Sequence, residues 1–167
     1  FRIGDGIAIP DDLFMSDGPW GYDDAPDTML VHTYEVNPNE EPFHEDEFAV
    51  ERNIELVGST NAYMAAYRAL TPKFSPINFT EYQSLKLKAK GTGKLIIRLV
   101  KESVTDWGSQ YKTTIPLTNN LQDYSIPFSN FTSINGTDFI PNDITSIVFT
   151  MLAETGEVET KEMTIQH

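Results

Sequence analysis

The chain has 167 residues, 40% of them hydrophobic, with 25 Asp and Glu against 12 Lys and Arg and a formal net charge of -13. That size and apolar content suit one domain with a proper core rather than a disordered chain, and the charge excludes nucleic acid and anionic membranes, which need clustered Lys and Arg. Cysteine is absent, so neither a disulfide nor a thiol nucleophile is available, and no apolar run reaches membrane-spanning length.

Residues 1–58 are acidic and rich in turn formers. IPDDLFMSDGPWGYDDAPDTM is followed by a predicted strand at Leu30–Val36 and then by NPNEEPFHEDEF; the Pro, Gly and Asp clusters mark turns. This region is too poor in apolar residues to build its own core. It is expected to supply loops and edge strands to a single sandwich spanning residues 1–167.

Residues 59–72, STNAYMAAYRALTP, read in two ways. Ser59 or Thr60 as cap, Pro72 as stop and the spacing of Tyr63, Ala66, Tyr67 and Leu70 fit a helix. The strand reading turns Ala62, Met64 and Ala66 to the core and Tyr63, Ala65 and Tyr67 outward, and the β context favours it.

From Tyr82 to Leu152 the chain reads as short strands with period-two alternation. Leu85, Leu87 and Ala89 alternate with Lys86, Lys88 and Lys90, giving one buried and one wet face. Lys90–Gly93 is predicted as a hairpin turn. Leu95–Lys101 is apolar on both faces except at Arg98. In Gln110–Leu117, Tyr111, Thr113, Ile115 and Leu117 share one face, with Gln110, Lys112 and Thr114 on the other. Ile144–Leu152 is largely apolar on both faces, which suits a central strand. The expected fold is all-β: a jelly-roll sandwich of two antiparallel sheets.

No catalytic motif stands out. His32, His44 and His167 show no metal-binding spacing, and there is no GxSxG. Gly91-Thr92-Gly93 is too short for a phosphate loop, and the N-x-[ST] triplets at Asn78, Asn130 and Asn135 are at chance frequency. A binding surface is the better reading. A sugar ring offers an apolar C–H face and a rim of hydroxyls, which aromatic rings and planar polar groups match. Tyr63 and Tyr67, four residues apart on a strand, would lie roughly 13 Å apart on one face. Arg98 sits between Ile96 and Val100, an odd place for a charge unless it has partners. Trp107 lies in the loop SVTDWGSQ beside Asp106 and Gln110.

The expected binding residues are therefore Trp107, Arg98, Tyr63 and Tyr67, with Gln110 as a polar contact, and Trp20 and Tyr22 in the N-terminal loop as the alternative cleft. Each also has an unremarkable role: Tyr63 and Tyr67 in the core, Arg98 in a cross-sheet ion pair, Trp107 as an end plug. The acidic runs at Asp23-Asp24 and Glu45–Glu47 read as solvated loop surface.

The segments YQSLKLKAKGTGKLIIRLVKE, WGSQYKTTIPL, QDYSIPFSNF and PNDITSIVFTM resemble the β-jelly-roll carbohydrate-binding modules of family 11 and related families. The resemblance covers roughly Tyr63 to Leu152. It implies a non-catalytic polysaccharide-binding module, for a β-glucan or a related plant or algal glycan, targeting a secreted or surface-bound bacterial protein to its substrate. The chain begins at Phe1, which fits a monomeric module within a longer protein. The same IPFS-plus-phenylalanine pattern occurs in the sandwich domain of the complex I intermediate-associated type, so a protein-interaction or adhesion domain is the alternative. The resemblance also implies at most one structural calcium ion, with Asp11, Asp12 and Asp24 as candidate ligands and no cofactor otherwise required. The terminal KEMTIQH lacks the Asp that such modules often use for calcium.

Overall fold

The computed structural model describes residues 20–23, 29–38 and 52–166. These carry the strands β1 (Trp20–Asp23), β2 (Met29–Pro38), β3 (Arg52–Thr60), β4 (Tyr63–Ala69), β5 (Ser84–Gly91), β6 (Lys94–Lys101), β7 (Tyr111–Pro116), β8 (Gln122–Pro127), β9 (Ile144–Leu152) and β10 (Glu159–Gln166). They pair into a front sheet, β1-β4-β9-β6-β7, and a back sheet, β2-β3-β10-β5-β8. Every pairing is antiparallel, and only β2–β3 and β6–β7 are successive strands in one sheet. The chain otherwise crosses between sheets at each turn, which makes this a jelly-roll sandwich. Helical structure among the described residues is limited to three short 3-10 turns.

Alternation places the core. Ile54 and Leu56 of β3, Met64 and Ala66 of β4, Leu95, Ile97 and Leu99 of β6, Phe149 and Met151 of β9, and Met163 and Ile165 of β10 all point between the sheets and are buried. Each large side chain so buried contributes roughly 1.5–3 kcal/mol. The stretch after Thr60 is a strand, as its β context suggested, with Met64 and Ala66 inward and Tyr63 and Tyr67 half-buried on the outer face. β9 is the middle strand of the front sheet, with a strand on either side, and both its faces are largely buried. The phenylalanines after β8 have a structural reason. Phe128, Phe131 and Phe139 pack with Tyr111, with centroids 5.0–6.3 Å apart, and close one end of the sandwich.

The expected hairpin at Lys90–Gly93 is corrected. β5 lies in the back sheet and β6 in the front sheet, so the turn carries the chain around a corner of the sandwich. Gly91 (φ 152°) and Gly93 (φ 72°) make the corner, and a Cβ on Gly91 would overlap the carbonyl oxygen of Glu162 on β10.

Two buried lysines tie down loops. The ammonium of Lys101, 7% exposed, donates to the Ile140 carbonyl and to the side-chain oxygens of Asn142 and Asp143. Burial pushes the Asp143 carboxyl up, but hydrogen bonds from Lys101 and Ser103 outweigh it and hold it below the usual carboxylate range. Lys161 pairs with Glu159 at 2.7 Å. The Glu159 carboxylate also accepts from the Glu154 and Thr155 amides and the Thr155 hydroxyl, each at 2.8 Å. These contacts, Lys161 first, hold its pKa down to about 2.

A groove on the outer face of the front sheet

Strand register brings the candidate residues together. Across the front sheet, Gly21 of β1 faces Tyr67 of β4, which faces Val148 of β9, then Arg98 of β6, then Lys112 of β7. The next outward row is Asp23, Ala65, Thr150, Ile96 and Thr114. With strands about 4.8 Å apart, Tyr67 and Arg98 stand two strands, or roughly 10 Å, from each other. Between them lies a groove of about 480 Å³, lined by Asp23, Tyr63, Ala65, Tyr67, Phe74, Arg98, Trp107, Ser146, Val148, Thr150 and Leu152.

One wall is aromatic. The Tyr67 ring lies over Gly21, where a Cβ would overlap the ring. Phe74 packs on Tyr67 with centroids 6.1 Å apart. It stays 44% exposed and holds φ 55°, beside Lys73 at φ 59°. Two successive non-glycine residues in the left-handed region are costly, and here they turn the Phe74 ring to the groove. Tyr63 donates to the Asp23 carboxylate at 2.8 Å, and that hydrogen bond, aided by burial, raises the phenol pKa.

The opposite wall is Arg98 and Trp107. The guanidinium carbon lies 4.4 Å from the centroid of the indole ring, a cation–π stack. Trp107 is 52% exposed, so it does not plug the sandwich. The Arg98 Nε is sealed from solvent without a hydrogen-bond partner, and burial lowers the guanidinium pKa. No carboxylate among the described residues forms an ion pair with Arg98, although the chain carries 25 acidic residues.

Trp107 is presented by a stiff loop. It opens a 3-10 turn, Trp107–Ser109, in which the Ser109 hydroxyl donates to Asp106 at 2.6 Å and the Ser133 hydroxyl to the Ser109 carbonyl at 2.6 Å. Gln110 is the clamp. Its amide donates to the Lys101 and Val104 carbonyls at 3.0 and 2.6 Å, and its oxygen accepts from the Lys101 amide at 2.8 Å. It is 3% exposed and does not line the groove. The expectation that Gln110 contacts a ligand is therefore corrected to a role in holding the Trp107 loop.

Other expectations move too. Trp20 is core, 3% exposed and packed on Phe149 with centroids 5.7 Å apart, and Tyr22 packs on Tyr34 at 4.7 Å, so these two do not form a separate cleft. Asp23 is a strand residue bonded to Tyr63 rather than loop surface. Asp11, Asp12 and Asp24, and Glu45–Glu47, lie outside the described residues. Among the described residues, no three His, Asp or Glu side chains gather as a metal site would require. Asp23 and Phe74 were the charged and the aromatic groove residue missed from sequence, beside the floor residues Ala65, Ser146, Val148, Thr150 and Leu152. The Pro72-Lys73-Phe74-Ser75-Pro76 run, a ring held between two chain-stiffening prolines, was the available signal for Phe74.

The fold has counterparts. The chain is 14% identical to the family 11 carbohydrate-binding module of a cellulosomal cellulase of Clostridium thermocellum, with a TM-score of 0.56 over 89% of this chain and 86% of that one. The family 11 module from the same organism, in complex with a β-1,3-1,4-mixed-linked tetrasaccharide, is 14% identical with a TM-score of 0.55, covering 89% and 88%. A family 30 carbohydrate-binding module is 16% identical with a TM-score of 0.51, covering 89% and 91%. No protein-family model matches the chain, and no curated protein matches it by sequence. At these identities the likeness is one of fold: the chain has the β-jelly-roll architecture of the family 11 and family 30 carbohydrate-binding modules.

Proposed function

We propose that this chain is a non-catalytic polysaccharide-binding module. One observation carries the reading: a half-buried guanidinium, Arg98, whose Nε is sealed without a hydrogen bond and which has no ion pair among the described residues, stacked on an exposed tryptophan and facing Tyr63, Tyr67 and Phe74 across a sheet. A buried N–H of a cation left without an acceptor is costly. A pyranose chain in the groove would offer ring oxygens and hydroxyls to the guanidinium while the aromatic rings cover its C–H faces. Each such ring contact is worth on the order of 1 kcal/mol beyond area burial.

The ligand class is a β-glucan or related plant or algal glycan, and the module's role is to hold a secreted or surface-bound bacterial protein at that polymer, raising its local concentration. Catalysis is not part of the role. Glycoside hydrolysis calls for two opposed carboxylates, and among the described residues lining the groove Asp23 is the only one, committed to the Tyr63 hydroxyl. A structural calcium at Asp11, Asp12 or Asp24 remains part of the proposal, and its presence would raise the melting midpoint in calcium over EDTA by mass action.

Affinity electrophoresis in gels holding different β-glucans tests the function. Retardation in at least one gel, unaltered by added salt because a neutral sugar offers no charge to screen, is the expected result. Flat mobility across all of them would overturn it and favour a protein partner.

A further inference from the structure

A second cavity lies on the same face. It has about 510 Å³ and is lined by Lys94, Ile96, Thr114, Leu152, Ala153 and Glu154. Leu152, 49% exposed, lines both cavities. The register leaves no break between them: Thr150 of the first cavity pairs with Ile96 of the second, and Ile96 with Thr114 on the edge strand β7. The two are successive sections of one trough that runs across the strands, with Leu152 as the divide.

The sections differ in chemistry. The first holds Tyr63, Tyr67, Phe74 and Trp107. The second has no aromatic residue and presents Lys94, Thr114 and Glu154, all exposed. Neither Lys94 nor Glu154 forms an ion pair among the described residues. Its outer wall is fixed in advance. The Ala153 amide donates to the Ala62 carbonyl at 2.9 Å, and Glu159 holds the Glu154 and Thr155 amides. A pre-formed wall removes ordering cost from binding.

We propose that this second section is a subsite for further sugar residues of the same glycan chain, gripped edge-on through their hydroxyls by Lys94, Thr114 and Glu154, whereas the first section grips ring faces. The inference rests on the polysaccharide-binding reading and extends it. The ligand crosses the sheet from β1 to β7. Long oligosaccharides then bind more tightly than those that fill the first section alone.

The test is calorimetric titration of the chain with two ladders, cello-oligosaccharides and mixed-linked β-1,3-1,4-gluco-oligosaccharides, from disaccharide upward. In the wild type, affinity should keep climbing beyond the length that fills the first section, by about tenfold. Thr114→Trp, which fills the second section, should remove that climb. The double variant Lys94→Ala with Glu154→Ala, which only removes polar contacts at exposed positions, should blunt it, and it serves if the tryptophan variant does not fold. Affinity that stops rising at the length of the first section in the wild type, or that climbs equally in folded Thr114→Trp or in the double variant, would sink the subsite and leave the function standing. No binding by any member of either ladder would overturn both.

Discussion

The two outer faces of this sandwich are built on the same backbone plan and have opposite surfaces. On the back sheet, Lys86, Lys88, Lys90, Glu55, Glu162 and Asp123 project outward and are exposed. On the front sheet, the corresponding outward positions are Ala65, Val148 and Thr150, each no more than 9% exposed, flanked by Tyr63, Tyr67, Arg98 and Trp107. A wet sheet face normally alternates polar-out, and an uncovered apolar patch on a soluble chain marks a place where something binds. In a chain of net charge -13, the charges cover the back face and leave the floor of the front groove to small or apolar uncharged residues. The difference favours the front face as the binding face of the proposed module, without reference to any relative.

If the faces are unequal in this way, substitutions on them must be unequal too. The largest effect is expected at Trp107→Ala, which should abolish retardation in glucan gels and leave the thermal melt nearly unchanged, since half of the ring is already in water. A collapsed melt would instead make Trp107 a structural residue.

Gly21→Ala comes next. It contacts no ligand in the proposed site, yet its Cβ would displace the Tyr67 ring. Glucan affinity should fall about tenfold, with a stability change of about 1 kcal/mol. Unchanged affinity would show that the Tyr67 ring position is not used.

A smaller effect concerns pH. The Glu159 carboxyl sits at about 2 against an ordinary 4.5, and Asp143 is also lowered. A folded-state pKa below the unfolded value stabilises above the unfolded pKa and is lost as pH falls through the folded one. The melting midpoint should therefore drop between pH 4.5 and 2, and Glu159→Gln should be less stable at neutral pH and shallower in that window. Equal slopes for both proteins would remove Glu159 from the account.

The smallest effect is the control for the comparison. Lys86→Ala and Lys88→Ala on the back face should leave glucan retardation unchanged and shift stability by no more than about 0.5 kcal/mol. Lost retardation there would mean that the two faces had been assigned the wrong way round.

What could be seen in the sequence, and what could not, follows from the range of the forces involved. Alternation is local, so Leu87 and Ala89 were legible as core and Tyr63 and Tyr67 as outward-facing once residues 63–69 were taken as a strand. Arg98 was legible as an anomaly, a charge between Ile96 and Val100. Gln110 was misplaced because alternation was carried one residue too far: β7 begins at Tyr111, and Gln110 belongs to the turn before it. Phe74 was hidden because its direction depends on a positive φ that no periodicity encodes. At Lys90–Gly93 the glycines announced a reversal, but which sheet receives the next strand is set by long-range packing. The pairing of Asp23 with Tyr63 needs two strands brought side by side across 40 residues of chain.

The edge position of β1 has its own consequence. This strand is four residues long and hydrogen-bonds to β4 alone within its sheet, yet it supplies Asp23 to the groove and the bed on which Tyr67 rests. A glycan lying across the strands acts as a suture, joining the outermost strand to the middle of the sheet from outside. Amide hydrogens of β1 should then exchange more slowly when the trough is filled, so that a bound polymer would also brace this short edge.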